Sequence, residues 1–393
     1  VAIPFNRPHI SGHELRYIEE AIALGHISGD GLFTKRANAW LEKRLGVPRA
    51  LLTHSCTAAL EMCAILAEIR PGDEIVMPSF TFVSTANAFV LRGGVPVFVD
   101  VRADTLNVDE RLVEAAITPK TRAIVAVHYA GVACDMDPLL RIAKAHDLWL
   151  IEDAAQALLA DYRGRPLGSI GHMAAFSFHE TKNLISGEGG ALVLNDRRFI
   201  GRAEVVREKG TNRSRFLRGE VEKYSWVDVG SSYLPSDIIA AFLWAQFESA
   251  DRLRAERLRM WHRYHDGFAD FEAGGAGRRP IVPDYAGHNG HLYYLLLDSP
   301  KRRTALLAAL RAEGIHAIFH YVPLHSSPAG RKYGRAAGDL QLTQDLSERV
   351  IRLPLFYDLR AETIDRIIET VYRSEIGKRP TAKRAKTYEP ASQ

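Results

Sequence analysis

The stretch Phe176–Val193, FSFHETKNLISGEGGALV, places one lysine, Lys182, between an apolar run and a group of glycines. On its amino side lies AAFSF (174–178), where Ser177 and then His179 alternate with apolar neighbours. On its carboxyl side ALVLN (191–195) is apolar again. Gly187, Gly189 and Gly190 permit a tight return between the two runs. The stretch reads as strand, turn, strand, with a long cation at the turn. Such a lysine is either an ordinary surface residue or a nucleophile held in a cleft. The chain has 51 Lys and Arg, so position alone does not separate the two.

Upstream, EIVMP (74–78), VPVFVDV (95–101), AIVAVHY (123–129) and LWLIED (148–153) also read as strands, bounded by Gly, Pro and Asp. Their unbroken apolar character predicts a sheet covered on both faces. Helical patterns lie between them, in DERLVEAAI (109–117) and MDPLLRIAKAHD (136–147). This alternation predicts a doubly wound, mostly parallel α/β domain, which binds ligands beyond the carboxyl ends of its strands. From Pro235 the pattern changes. Residues 236–268 form one long amphipathic helical run, and HLYYLLLD (291–298), RTALLAALRAEGI (303–315) and AIFHYVPLH (317–325) read strand, helix, strand. The expected domains are a large one over 1–245, a smaller C-terminal α/β one over 246–373, and a disordered basic tail over 374–393.

Composition agrees with a globular enzyme: 47% of the 393 residues are hydrophobic and 25% charged. The net charge of +4 is mostly a tail effect, because residues 374–393 hold five Lys/Arg against two Glu. It therefore argues for no nucleic-acid partner. No apolar run is long enough to predict a membrane span. Cys56, Cys63 and Cys134 form neither a CxxC pair nor an even framework, which favours free thiols in a reducing cytoplasm. The start, VAIPFNRPHI, lacks the charged and apolar regions of a secretory signal.

Three features carry chemistry. In THSCTAALEM (53–62), Ser55 is placed to cap a helix, and the N–H groups of Cys56 and Thr57 then point outward as a phosphate-binding start. A Ser/Thr cap ordinarily binds nothing, so this signal is weak alone. In LWLIEDAAQA (148–157), Glu152 and Asp153 end an apolar strand. Strand alternation sets them on opposite faces, so they do not form an acid/base pair. A carboxylate there needs a partner, either backbone N–H groups or a cation in the cleft. Lys182 comes 29 residues after Asp153, about one crossover unit on, and so returns to the same sheet edge. A helix start for phosphate, a carboxylate for a pyridine nitrogen and a lysine for a Schiff base are together the parts that hold pyridoxal phosphate. Phe80 and Phe82 offer an aromatic face, or ordinary core. No HExxH, GxSxG or GxGxxG pattern occurs at these stretches, which argues against a zinc protease, a serine hydrolase and a Rossmann dinucleotide site. No metal is expected.

The motifs THSCTAAL (53–60), PSFTFVSTAN (78–87), IEDAAQ (151–156), FSFHETKNLISGEGG (176–190) and FHYVPLH (319–325), in this order, resemble the nucleotide-sugar aminotransferases, fold-type I pyridoxal-phosphate enzymes. The likeness covers roughly residues 3–373. VAVHYAGVACDMD (125–137), REKGTNRS (207–214) and VGSSYLPSD (229–237) are similar to the branch that aminates dTDP-4-dehydro-6-deoxy-glucose at C4, giving dTDP-4-amino-4,6-dideoxy-galactose for surface polysaccharide. The resemblance implies that Lys182 forms the Schiff base and carries the proton, and that Asp153 pairs with the pyridine nitrogen. Gln156 would pack beside the ring and Phe82 would stack on it. Cys56, Thr57 and Ser177 would hold the phosphate. His320, Tyr321 and His325 would face the sugar nucleotide, while Lys209 and Thr211 would reach the diphosphate or the donor carboxylate. L-glutamate is the implied amino donor, and a homodimer with shared sites the implied assembly. One departure stands out. Where many members have G-x-N-x-R, this chain has Ser232 at the Asn position and Leu234 at the Arg position. The phosphate contact across subunits would then fall to Ser231, Ser232 or a water. Dehydratase relatives carry histidine in place of the lysine. They are the nearest alternative, and a non-catalytic sensor on the same fold is a further one.

Overall fold

The computed structural model describes residues 2–376. The chain opens with α1 (Glu14–Ala23) and α2 (Leu32–Leu45). It continues through β1 (Arg49–Thr53), α3 (Cys56–Leu66), β2 (Glu74–Pro78), α4 (Val83–Val90), β3 (Val95–Val99), β4 (Thr121–Val127), α5 (Met136–Ala145) and β5 (Trp149–Asp153). β6 (Met173–Ser177) and β7 (Gly190–Leu194) flank the Lys182 turn. After α6 (Asp237–Glu248) and α7 (Ala250–Gly267) come β8 (Gly277–Arg278), β9 (Tyr293–Leu297), α8 (Pro300–Ala312), β10 (Arg335–Ala336), β11 (Val350–Leu353) and α9 (Ala361–Ile376).

The main sheet has eight strands in the order β1-β7-β6-β5-β4-β2-β3-β10. Only β7 runs against its neighbours. Both faces are covered, as continuous apolar strands require. Leu52, Val76, Ile124 and Leu150 enter one cluster with residues of α1, α2 and α5. Leu51, Ile75, Val125 and Ile151, one position along in each case, enter another with α3 and α4. The fold is the doubly wound α/β class expected from the alternation of strands and helices.

A second sheet, β8-β9-β11, packs with α7, α8 and α9 around its own core of Tyr293, Leu295, Ile351, Leu306 and Ile367. Ile3 joins this core from the start of the chain and bridges Ile315. In the other direction β10 pairs with β3 at the edge of the main sheet, and Arg335 grips Glu74 with two bonds of 2.8 Å. The two cores are thus laced together by the start of the chain and by β10.

Four expectations need correction. The run 236–268 is two helices, broken at Ser249, so that α6 packs on α1 and α2 while α7 packs on α9. DERLVEAAI is helical only over Glu110–Val113 before a tighter turn. AIFHYVPLH is not a strand. Ile318 alone pairs, with Arg352; then Pro323 lacks an N–H, and the Leu324 N–H turns away to the Ser79 carbonyl at 3.0 Å. The last helix runs to Ile376, past the expected tail boundary at 374; the rest of the tail lies outside the described residues. No helix among the described residues is long and apolar enough to cross a membrane.

Candidate active site

A cavity of about 660 Å³ opens at the carboxyl ends of β4, β5 and β6. Its far wall comes from the C-terminal third of the chain, through His291, His320, Tyr321 and Arg352.

β5 delivers Asp153 to the cavity as its last residue, only 6% exposed. Its carboxylate accepts from Thr85 Oγ1 at 2.6 Å and from the Ala155 N–H at 3.2 Å. Thr81 Oγ1 lies 2.8 Å from Thr85 Oγ1 and, with Thr85 donating to the acid, donates in turn to Thr85. This chain of hydroxyls fixes the acid. Neighbouring Glu152 points the other way. It is fully buried and bonded to His128 and to three backbone N–H groups.

Lys182 follows β6 in a turn closed by Phe178 N–H to Gly189 O, Glu180 N–H to Gly187 O and Ser186 N–H to Phe178 O, all between 2.7 and 2.9 Å. Gly187 takes φ +80°, where a side chain would be strained. The Lys182 ammonium has no hydrogen bond or ion pair among the described residues. Burial, aided by the positive charge of Arg352, holds Lys182 below the ordinary lysine value, while Cys56 and Asp153 pull it back up.

α3 supplies the third part. Ser55 caps it, accepting from the Ala58 N–H at 3.1 Å. Cys56 and Thr57 are its first two residues, and their N–H groups have no carbonyl to bond within the helix. A Cβ at Gly190 would collide with the backbone of Ser55 and Cys56, so only glycine lets β7 pass this close. Ser84 Oγ lies 2.8 Å from Thr57 Oγ1 at the same end. Positive helix-end potential, free N–H groups and hydroxyls make an anion cradle.

Gln156 is spoken for on both ends: Oε1 accepts from the Ala130 N–H at 2.7 Å, and Nε2 donates to the Tyr321 hydroxyl at 3.0 Å. Phe82 is 58% exposed, on the cavity wall at the start of α4. Phe80, by contrast, is buried core packed edge-on against Tyr129 and Tyr321. Burial keeps His320 and His291 well below the usual imidazole value, so both are neutral at physiological pH.

The cavity thus gathers Cys56, Thr57, Phe82, Asp153, Gln156, Ser177, Lys182, His320 and Tyr321. It does not gather His325, Lys209, Thr211 or Ser232. His325 holds its own turn against the main sheet, with Ser79 Oγ bonded to both its Nδ1 (2.7 Å) and its N–H (3.0 Å). Lys209 is exposed, with φ +64°. Ser232 is exposed and bridges Glu208. Thr85, His291 and Arg352 were missed in the sequence. Thr85 lay inside the quoted motif PSFTFVSTAN; the other two had no local signal. Among the described residues no group of three or more His, Cys, Asp or Glu is placed to hold a metal ion.

Residues 8–372 match the DegT/DnrJ/EryC1/StrS aminotransferase family. The chain is 33% identical to the spore coat polysaccharide biosynthesis protein SpsC of Bacillus subtilis (strain 168), over 94% of this chain and 96% of that one. Among solved structures it is similar to Spr1654 of Streptococcus pneumoniae, described as a sugar aminotransferase and solved in its PLP form. That match has a TM-score of 0.88 and 28% identity, over 96% of this chain and 99% of that one. It is also similar to DesV of S. venezuelae, with a TM-score of 0.86 and 31% identity over 96% and 99%. The cofactor is pyridoxal phosphate, and the cavity fits it: a helix-end anion cradle, a fixed carboxylate and a lysine unpaired among the described residues surround one space.

Proposed function

The chain belongs to the DegT/DnrJ/EryC1/StrS aminotransferase family, and on that premise we propose that it moves the amino group of L-glutamate to C4 of a 4-keto-6-deoxy nucleotide sugar. The favoured substrate is dTDP-4-dehydro-6-deoxy-D-glucose and the product dTDP-4-amino-4,6-dideoxy-D-galactose, used in surface polysaccharide or lipopolysaccharide synthesis in the cytoplasm. The observation that carries the reading is the meeting of Lys182, Asp153 and the α3 start in one cavity. The name of the SpsC relative supports the polysaccharide context.

Bound pyridoxal phosphate supplies the electron sink for deprotonating the donor's α-carbon. The N–H groups of Cys56 and Thr57, with the Ser177 hydroxyl, hold its phosphate. Asp153, pinned by Thr85, keeps a proton on the pyridine nitrogen. Phe82 would offer its face to the ring, and Gln156, bonded to the Tyr321 hydroxyl, would pack beside it. Lys182 anchors the cofactor. Its amine would act as the base that takes the proton from the donor's α-carbon, a role helped by its lowered affinity for protons. On the sugar half-reaction it works in reverse. His320 and Tyr321 face the sugar. The active unit is a homodimer, in which Ser232 approaches the partner's phosphate.

Glutamate plus a panel of 4-keto and 3-keto nucleotide sugars tests this, with the cofactor absorbance and the product configuration followed together. A 4-amino sugar is expected. A deoxysugar product would favour the dehydratase alternative, and amination only at C3 would move the substrate.

A further inference from the structure

His291 stands just before β9, buried, on the wall of the main cavity. A second, smaller space of about 10 Å³, the size of one water, is lined by His291 together with Lys182, Asn183, Asn289 and Ser177. The hydrogen bonds around it fix the state of the His291 ring. Asn289 is the anchor: Nδ2 donates to the carbonyls of Gln156 (2.8 Å) and Leu158 (2.9 Å), and Oδ1 accepts the His291 N–H at 3.0 Å. Asn183, the residue after Lys182, donates through Nδ2 to the Asn289 carbonyl at 3.1 Å. A carbonyl only accepts, so the Asn183 amide has one possible orientation, and its Oδ1 faces His291 Nδ1 at 2.9 Å. Nδ1 therefore carries the hydrogen. Burial keeps the ring neutral, with Lys182, Arg257, Arg352 and His320 acting in the same direction, so Nε2 is left with a lone pair. Among the described residues nothing donates to it.

We propose that His291 positions Lys182: its Nε2 accepts a hydrogen bond from the freed, protonated amine of the lysine and holds that amine at the reacting carbon. This rests on the proposed role of Lys182 as the base. Once the lysine has taken a proton it is an ammonium in a buried place, and an ammonium there needs acceptors. The rival acceptors are committed. Asp153 serves Thr85 and the pyridine nitrogen, Ser177 belongs to the phosphate, and Gln156 Oε1 takes the Ala130 N–H. His291 Nε2 is free and shares a space with the lysine. The proton stays on the amine and none passes to the ring, so the bond orients the lysine without discharging it. The residue next to the lysine thus sets the tautomer of the lysine's partner.

The test reads the proton affinity of Lys182 directly. The full-length chain, freed of cofactor, is labelled with formaldehyde and cyanoborohydride across a pH series, and the label on the Lys182 peptide is followed by mass. Labelling tracks the unprotonated fraction. Burial and Arg352 lower the lysine, while Cys56 and Asp153 raise it; these groups stay the same in every variant. His291→Asn keeps a donor for Asn183 at the Nδ1 position and removes Nε2. His291→Gln puts an amide oxygen near where Nε2 stood. The ammonium loses an acceptor in the first, so its labelling midpoint should fall by about one pH unit, a tenfold loss of proton affinity, while the second should stay within about 0.3 of a unit. Asn183→Ala unlocks the tautomer and should give a smaller fall; it is the check should the His291 variants not fold, and no fall there overturns the proposal. No shift in His291→Asn, an equal shift in His291→Asn and His291→Gln, or a rise in either overturns it as well. Labelling involves neither donor nor sugar, so failure of the substrate reading leaves the result intact.

Discussion

The two sides of β5 hold adjacent acids with opposite fates. Behind the sheet, every bonding position of Glu152 is used: Oε1 accepts from Ile170 and Gly171, Oε2 from His128 and Gly168, at 2.7 to 3.0 Å. His128 in turn accepts the Cys134 N–H at Nδ1, which places its proton on Nε2, toward Glu152. Burial alone would raise Glu152, but His128 and these N–H groups hold it low. In front, among the described residues, Asp153 has two donors and room for more, the Lys182 amine has no partner, and Arg352 has one long bond. A closed network of polar groups stabilises the fold; an open one is directed at a ligand.

The comparison breaks first at Lys182. Lys182→Ala is expected to lose at least about a thousandfold in turnover and the absorbance of lysine-bound cofactor, with the unfolding midpoint little changed. Retained turnover in single-turnover assays would sink the assignment of the lysine. Glu152→Ala should do the reverse. It strips a buried partner from His128 and three N–H groups, so the unfolding free energy in urea should fall by about 3–5 kcal/mol. Turnover of the protein that remains folded should stay within about fivefold. If instead activity vanishes at unchanged stability, the rear network belongs to the site. Thr85→Val is the finest probe. It removes the 2.6 Å donor to Asp153 while nearly keeping volume. The donor half-reaction should slow roughly tenfold, the value of about one hydrogen bond to a charged group, and the melting temperature should hold within a few degrees.

Lys182 and Asp153 were legible because their meaning is local. A polar residue ending an apolar strand, one crossover apart, lands on one sheet edge whatever the rest of the chain does. The opposed faces of Glu152 and Asp153 followed in the same way from the period of a strand. Thr85 was in view but silent, since a threonine in a first helical turn looks like any other. Its role came from a contact 68 residues away in the chain. His325 and Lys209 sit in motifs near the site, yet within this chain one bonds Ser79 outside the cavity and the other faces solvent. AIFHYVPLH looked like a strand because its residues are strand formers. Its backbone partners, Arg352 and Ser79, lie in distant segments that periodicity cannot see.

The sequence by itself determined the strand and helix alternation and the meeting of a lysine, an acid and a helix start at one sheet edge. These rest on dihedral preferences and side-chain period, which act over a few residues. Only the tertiary structure decided which polar groups are satisfied. It closed the shell around Glu152, strung Thr81 and Thr85 onto Asp153, and left Arg352 on the cavity wall with no acid among the described residues. Burial and hydrogen-bond satisfaction are set by what packs against a group from elsewhere in the chain, and one arginine among many carries no mark of that in its own neighbourhood.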